Sequence, residues 1–121
     1  MTTLRLRILF DDVMIGPGKA ELLGHIRETG SIAAAGRKME MSYKRAWMLI
    51  EDMNAAFQEP LVISTRGGPG GGGAQLTETG QRVLGLYHDI VATAQTAAAS
   101  SIGAMESLLR PAADRDMSGG K

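Results

Sequence analysis

The sequence predicts a mainly α-helical fold with one small antiparallel β element, and three observations lead to this expectation. Apolar residues recur at helical spacing in three stretches of the first 60 residues. A β-branched segment and a short apolar segment flank a glycine-rich run, which is typical of a hairpin with a long tip. A last and longer stretch repeats apolar residues every three or four positions. A length of 121 residues suits one domain with a single core.

The composition excludes several classes of protein. Basic and acidic residues balance at 13 each, so affinity for nucleic acid or membrane depends on local clustering of charge. There is no cysteine, and the two histidines, His25 and His88, are not at metal-ligand spacing. No catalytic triad or carboxylate pair stands out, so we expect no enzyme activity, no metal and no cofactor. No apolar stretch suits a signal peptide or a membrane span, so the expected location is the cytoplasm.

A strand and a helix are predicted first along the chain. Alternating apolar and basic residues from Leu4 to Phe10 indicate a short strand. The segment Gly16-Pro17-Gly18 is typical of a turn. Apolar residues at helical spacing then predict a helix over Lys19–Thr29, and Gly30 stands where a left-handed C-cap belongs.

Two further helices follow at close spacing. Ser31 is a good N-cap for a short helix over Ile32–Met39, and Ser42 is a good N-cap for a longer helix that ends near Phe57. The small residues from Ala33 to Gly36 allow two helices to cross steeply at close range. Three helices in this order, the last two joined by a few residues, predict a helix-turn-helix.

A hairpin and a long helix complete the predicted fold. Leu61–Thr65 is β-branched, six of the seven residues from Gly67 to Gly73 are glycine, and Ala74–Leu76 returns as a second strand. We expect these segments to form a wing. Thr77 then caps a helix of about 30 residues, or about 45 Å. A domain this small cannot cover both ends of such a helix, so a second copy of the chain is the simplest partner.

The predicted architecture is therefore a winged helix-turn-helix with a C-terminal dimerisation helix. Residues 1–110 form this domain, and residues 111–121, which are polar and end in glycines, form a disordered tail. The residues assigned to the dimer interface are Leu84, Tyr87, Ile90, Val91, Ala94 and Ala98.

The third helix carries most of the candidate binding residues. Between Ser31 and Met48 there are four basic residues and one acidic residue, a local charge of +3 in a neutral chain. Such a face suits a recognition helix, whose N-terminal residues meet base edges in the major groove of duplex DNA. For four charges alone, an ordinary solvated face is an equally good interpretation. The candidate DNA-binding residues are Arg37, Lys38, Ser42, Tyr43, Lys44, Arg45, Met48, Arg66, Gly67 and Gly68.

Other features near this helix allow more than one interpretation. We interpret Trp47 as a core anchor rather than a base-stacking platform. The hydroxyl of Tyr43 can reach a phosphate oxygen from the first turn of the helix. The glycine run lacks the Lys-Ser/Thr ending of a P-loop, so we interpret it as a wing tip that approaches the sugar-phosphate chain, with Arg66 supplying the charge.

Several segments together resemble the DNA-binding half of the ModE family, molybdate-responsive transcriptional regulators whose winged helix-turn-helix is related to that of LysR-type regulators. The resemblance covers about Leu4 to Ser101 and is specific in combination. The segments that carry it are Gly30-Ser31-Ile32, Ser42-Tyr43-Lys44-Arg45-Ala46-Trp47, Glu51-Asp52-Met53-Asn54, the glycine-rich run 67–73 and Leu76-Thr77-Glu78-Thr79-Gly80.

The resemblance implies that Ser42, Tyr43 and Lys44 lie at the DNA-facing start of the recognition helix, with the wing glycines and Arg66 along the DNA backbone. It also implies that the helices at Lys19–Thr29 and Thr79 to about Leu109 form the dimer interface.

Two departures from the family pattern matter. Pro69 stands in the glycine run where some relatives have a basic residue, which weakens the expected charge of the wing. Full-length members also carry C-terminal molybdate-binding domains, for which the 121 residues leave no room, so the resemblance does not imply oxyanion sensing within this chain.

These expectations combine in a homodimer that binds an inverted-repeat operator in double-stranded DNA, with half-sites about one helical turn, or a multiple, apart. The alternative is an interaction module that forms a heterodimer with a full-length regulator.

Overall fold

The computed structural model describes residues 2–65 and 73–112. It contains four helices and four strands within those residues. The helices are α1 (Pro17–Thr29), α2 (Ile32–Lys38), α3 (Tyr43–Ala56) and α4 (Glu78–Glu106). The strands are β1 (Ile8–Leu9), β2 (Met14–Ile15), β3 (Val62–Thr65) and β4 (Gly73–Leu76), paired as β1–β2 and β3–β4 in two antiparallel sheets. The predicted fold class is confirmed.

The chain divides into two compact units within α4. The first unit, Met1–Val91, contains the strands, the first three helices and the start of α4. The second unit, Ala92–Lys121, contains the remainder of α4, which ends at Glu106. The disordered tail predicted for residues 111–121 falls mostly on residues 113–121, which lie outside the described residues. No helix among the described residues is long and apolar enough to cross a membrane.

The N-terminal strand is shorter than predicted and has a partner that the sequence pattern did not reveal. β1 begins at Ile8 and pairs with β2, in the register Ile8↔Ile15 and Leu9↔Met14. The backbone N–H of Phe10 donates to the carbonyl oxygen of Val13 at 2.8 Å and closes the turn between them. β2 has only two residues, too few to show an alternating pattern.

The Gly16-Pro17-Gly18 segment begins a helix, and its assignment as a turn was wrong. Gly16 is the extended N-cap of α1, and Pro17 is its first helical residue. Proline is well suited to that position, because its missing N–H has no intrahelical partner there and its φ is already helical. The far end of α1 matches the prediction, since Gly30 has a φ of 71° and its N–H donates to Ile26 O at 2.8 Å.

The core of the first unit is built from the inner faces of all its helices and of the wing strands. Residues of α1, α3 and α4 supply the largest fully buried side chains, together with Leu61, which immediately precedes β3. These side chains are Leu22, Leu23, Ile26, Met53, Leu61 and Leu84. A backbone hydrogen bond of 2.9 Å from Ala74 N to Gly30 O ties the wing to the end of α1.

A junction at Thr77 and Gly80 joins α4 to the start of the wing. The N–H of Thr77 donates to Leu61 O at 2.9 Å, and its hydroxyl donates to Pro60 O at 2.7 Å and accepts from Gly80 N at 2.9 Å. This confirms Thr77 as the N-cap. Gly80 faces the Leu61 backbone so closely that a Cβ there would overlap the Leu61 carbonyl oxygen. The motif Leu-Thr-x-x-Gly therefore encodes one packed corner.

Tyr87 fastens the N-terminal segment to α4. Its hydroxyl donates to Leu6 O at 2.7 Å, and its side chain is buried. Desolvation by burial raises the pKa of the Tyr87 hydroxyl, against a smaller lowering by the charge of Arg5. The neutral hydroxyl is thus the form that suits this hydrogen bond.

Gly80→Ala is expected to destabilise the protein by about 1–3 kcal/mol, because the added methyl group must displace the Leu61 backbone. The matched control is Gly85→Ala in the same helix, where nothing lies within 4 Å of the added methyl group. That control is expected to gain up to about 1 kcal/mol from helix propensity. Urea unfolding measures both free energies, and equal effects of the two substitutions would contradict the close approach at Gly80.

Candidate nucleic-acid interface

The turn between α2 and α3 is organised by Gly36. Its carbonyl oxygen accepts hydrogen bonds from Met39 N and Met41 N, each at 3.0 Å. A Cβ at Gly36 would lie 3.3 Å from Met41 O and 3.4 Å from the Cβ of Ala46. Since Cβ contacts this short are uncommon, the close crossing of the two helices depends on small residues, as the sequence predicted. Glu40 adopts a left-handed φ of 56° in this turn.

Serine side chains begin both helices of the motif, as predicted. The hydroxyl oxygen of Ser31 accepts from Ala34 N at 3.0 Å, and that of Ser42 accepts from Arg45 N at 3.0 Å. Ser42 is exposed, and a hydroxyl that accepts one hydrogen bond still has a proton to donate. Ser42 is therefore free to act both as a cap and as a donor to an anion.

The face of α3 that the core leaves free is exposed and cationic at its N-terminal end. Ala46, Ile50 and Met53 are buried, which turns the other side of the helix to solvent. All seven candidate residues in the described part of the motif are exposed: Arg37, Lys38, Ser42, Tyr43, Lys44, Arg45 and Met48. Among the described residues, no carboxylate forms an ion pair with any of the four cations of this set. Their charge is thus available to an external partner.

Trp47 is not a core anchor, and that interpretation was wrong. Its side chain is 45% exposed, beside Tyr43 at 56% and Met48 at 47%. Ala46 occupies the core-facing position of this turn and packs at 0% exposure. Because successive helical residues are rotated by about 100°, the residue after Ala46 points away from the core direction.

Asn54 holds α3 against the wing, a role that the sequence analysis missed. Its side-chain oxygen accepts from Leu61 N at 2.8 Å and Val62 N at 3.3 Å, and its amide nitrogen donates to Val62 O at 3.1 Å. These bonds link α3 to Leu61 and to Val62, the first residue of β3, seven and eight residues later in the chain. In the sequence, the only indication of these hydrogen bonds is the position of Asn54 shortly before a proline and a β-branched run.

The wing is present as an antiparallel pair, with Val62 opposite Leu76 and Thr65 opposite Gly73. Its predicted DNA-binding residues Arg66, Gly67 and Gly68 lie outside the described residues. Their role stays a prediction.

The predicted dimerisation residues differ in their surroundings. Leu84 and Tyr87 lie in the core of the chain itself, and Val91 is half-buried against that core. Ile90 is 44% exposed. It lines an apolar groove of about 140 Å³, whose walls are Ile8, Phe10, Ile15, Phe57, Val83, Leu86, Tyr87 and Ile90. In the second unit, Ala94 and Ala98 are half-buried. Among the described residues, no group of three or more metal-ligating side chains forms a candidate metal site.

A winged helix-turn-helix with an exposed cationic recognition helix is the architecture of a class of bacterial DNA-binding regulators. The sequence profile of that class, bacterial regulatory helix-turn-helix proteins of the LysR family, matches residues 19–81. The chain belongs to this family.

The resemblance to ModE regulators is also confirmed. The chain is 47% identical over 79 residues to the transcriptional regulator ModE of Yersinia pestis, which covers 65% of this chain and 30% of that protein. It is 44% identical over 79 residues to the DNA-binding transcriptional dual regulator ModE of Escherichia coli K12, with the same coverage. It is 41% identical over 78 residues to the molybdenum-pterin-binding protein MopB of Rhodobacter capsulatus, covering 64% of this chain and 29% of that protein. The chain thus spans about 30% of the length of the relatives it matches.

Asn54→Ala is expected to lower the free energy of unfolding by about 1–3 kcal/mol, because partly buried backbone groups of Leu61 and Val62 lose their partner. Asp52→Ala, a substitution of an exposed neighbour on the same helix, is expected to change it by less than about 0.5 kcal/mol. Urea unfolding of both variants tests the assignment. A loss at Asn54 no greater than at Asp52 would show that these hydrogen bonds do not hold the helix to the wing.

Proposed function

We propose that this protein is a sequence-specific, DNA-binding transcriptional regulator that acts as a homodimer on an inverted-repeat operator. The observation that carries the proposal is the set of four exposed cations, Arg37, Lys38, Lys44 and Arg45, without carboxylate partners among the described residues. Two of them lie in the last turn of α2 and two in the first turn of α3, in a chain with equal numbers of basic and acidic residues. Family membership makes duplex DNA the partner that best accounts for this clustering.

In the proposed complex, the N-terminal turns of α3 enter the major groove. Lys44, Arg45 and Met48 reach base edges, where one well-placed bidentate pair contributes about 1–3 kcal/mol of discrimination. In this complex Lys38 and Lys44 contact phosphates, and the helix N-terminus adds a positive end.

Other polar groups position the helix in the groove. The Ser42 hydroxyl, which accepts one hydrogen bond from Arg45 N, has its proton free for a phosphate oxygen. Tyr43 is 56% exposed at the same end of the helix, and its hydroxyl is proposed as a second such donor. Arg66, Gly67 and Gly68 of the wing follow the sugar-phosphate chain.

The proposed dimer forms through α4, and both DNA binding and dimerisation reside in residues 1–110. The helix is 29 residues long, and Ile90 and Leu86 expose apolar surface where they line the groove together with Phe10. Isologous contact between two copies relates the two recognition helices by a two-fold axis, which an inverted repeat matches. Because Leu84 and Tyr87 pack within the chain, they support this surface from beneath, while Ile90, Val91, Ala94 and Ala98 provide contacts.

The proposal concerns DNA recognition and not catalysis, and it extends only to the region that the relatives share. The relatives matched are named as regulators or molybdenum-associated proteins, and the match covers about 30% of their length.

One observation favours a second candidate function. The same apolar groove is an exposed surface that a longer relative can cover in place of a second copy, so the chain is also a candidate interaction module that forms heterodimers with a full-length regulator. Glu51 and Asp52, exposed on the recognition helix, weaken DNA affinity and are compatible with this role. Mixing the chain with a full-length ModE-type regulator, followed by light scattering, separates the two functions: a heterodimer replaces both homodimers only in the second case.

Lys44→Ala is expected to weaken binding to a duplex recovered by selection from random sequence, because it removes an unpaired cation at the start of α3. The slope of log K for DNA binding against the logarithm of the salt concentration is expected to decrease in magnitude by about 0.9 per protomer. This change corresponds to one phosphate contact fewer, and so to one counterion fewer released on binding. Arg5→Ala removes the same charge beside Tyr87 and is the matched control, with an unchanged slope. Fluorescence anisotropy over a salt series gives both slopes, and an unchanged slope for Lys44→Ala would remove Lys44 from the interface.

Ile90→Glu is expected to convert the dimer into a monomer, since it places a charge on an exposed apolar surface without disturbing the core. Gln81→Glu is the control, because it adds a charge about half a turn around α4 at an exposed position. Sedimentation velocity measures the monomer–dimer equilibrium. Dimerisation that survives Ile90→Glu as well as it survives Gln81→Glu would place the interface elsewhere.

A further inference from the structure

Two aromatic side chains are exposed on the recognition helix. The role proposed for the neighbouring cations does not explain why these aromatic side chains are exposed. Tyr43 and Trp47 are four residues apart and are 56% and 45% exposed. Resting on the proposed function, we propose that Trp47 reads sequence directly, with its indole ring against thymine 5-methyl groups at the wing-side edge of each half-site.

The core does not require Trp47. Ala46, Ile50 and Met53 fill the inner face of α3 and are at most 2% exposed. Within the described part of the chain, the indole ring stacks on no other ring and its N–H has no hydrogen-bond partner. Trp47 is also not isolated, because Tyr43 and Met48 beside it are 56% and 47% exposed. A contiguous exposed apolar patch of this kind is typical of a binding surface.

Trp47 lies on the flank of α3 between the face proposed to contact DNA and the side that faces the wing. Residues four or seven apart lie on the same side of an α-helix, so Tyr43, Trp47 and Asn54 share one flank. Asn54 is hydrogen-bonded to the backbone at Leu61 and Val62, which places that flank towards β3. Lys44 and Met48, one residue after Tyr43 and Trp47, lie on the adjoining outward face. A duplex that contacts both the outward face and the wing therefore passes over Trp47.

The chemistry of an indole ring selects which part of the duplex it contacts. Phosphates attract cations, and the polar edges of the bases require hydrogen-bonding groups. The apolar group that the major groove presents is the 5-methyl group of thymine. In an intact duplex the faces of the bases are covered by neighbouring bases, so an aromatic ring in the groove cannot stack on them. The ring buries most apolar surface by covering the thymine methyl groups. The half-site is accordingly expected to contain at least one thymine whose methyl group matters.

The test uses the fact that Trp47 is the only tryptophan in the chain. A duplex recovered by selection with the purified protein is compared with duplexes in which single thymines are replaced by deoxyuridine, which removes only the methyl group. Binding of the original duplex is expected to quench or shift the tryptophan emission. At one or two positions in each half-site, the deoxyuridine duplex is expected to bind the unmodified protein about fourfold more weakly.

Variants separate reading of the methyl group from other effects. Trp47→Ala is expected to bind weakly and equally to the thymine and deoxyuridine duplexes, while Trp47→Phe, which keeps an apolar ring, retains part of the difference. Lys44→Ala is the control: it weakens binding but keeps the full thymine-to-deoxyuridine ratio. Circular dichroism confirms that the variants are folded.

Two results would overturn the proposal. Tryptophan emission that is unaffected by tight binding would place the ring outside the interface. A Trp47→Ala variant that keeps the same thymine-to-deoxyuridine ratio would assign the methyl contact to another residue. If the unmodified folded protein binds no duplex, the proposed function fails first, and that failure is distinct because it precedes any comparison of variants.

Discussion

The close approach of α2 and α3 at Gly36 is the constraint on which the rest of the interface depends. The carbonyl of Gly36 accepts two hydrogen bonds that shape the turn, while its missing side chain lets Met41 O and Ala46 Cβ come near. This contact fixes which residues of α3 face inward. The orientation of Lys44, Arg45 and the aromatic pair follows from the packing of the opposite side.

Local charge and global charge act separately in this molecule. The whole chain is neutral, so it has no long-range field that favours DNA. The cations of the motif are nevertheless exposed and unpaired among the described residues, and Glu40 is the acidic residue in their midst. An interface of this kind gains less from counterion release than a strongly basic one. In the proposed complex, recognition therefore depends more on contacts with base edges, which gives uncharged residues such as Trp47 and Met48 a larger share of the binding.

The sequence predicted the parts of the fold that local chemistry determines. The caps at Gly30, Ser31 and Ser42 and the small residues near Gly36 were readable because each acts on neighbours within a few positions. β2 was missed because two residues carry no periodicity, and Pro17 was misassigned because proline serves both turns and helix starts. The Asn54 bonds depend on how α3 packs against the wing, which no local pattern encodes. The exposure of Trp47 follows from its helical position directly after buried Ala46, and its assignment to the core was wrong because it followed the general tendency of tryptophan to be buried.

We propose that two copies of this chain read one inverted repeat in duplex DNA. The most direct measurement is to select genomic fragments bound by the purified protein at near-physiological salt and to sequence the bound pool. We expect an enriched inverted repeat whose half-sites are about one helical turn, or a multiple, apart. No enrichment, from a protein that is folded and dimeric, would contradict the claim and favour a protein partner instead.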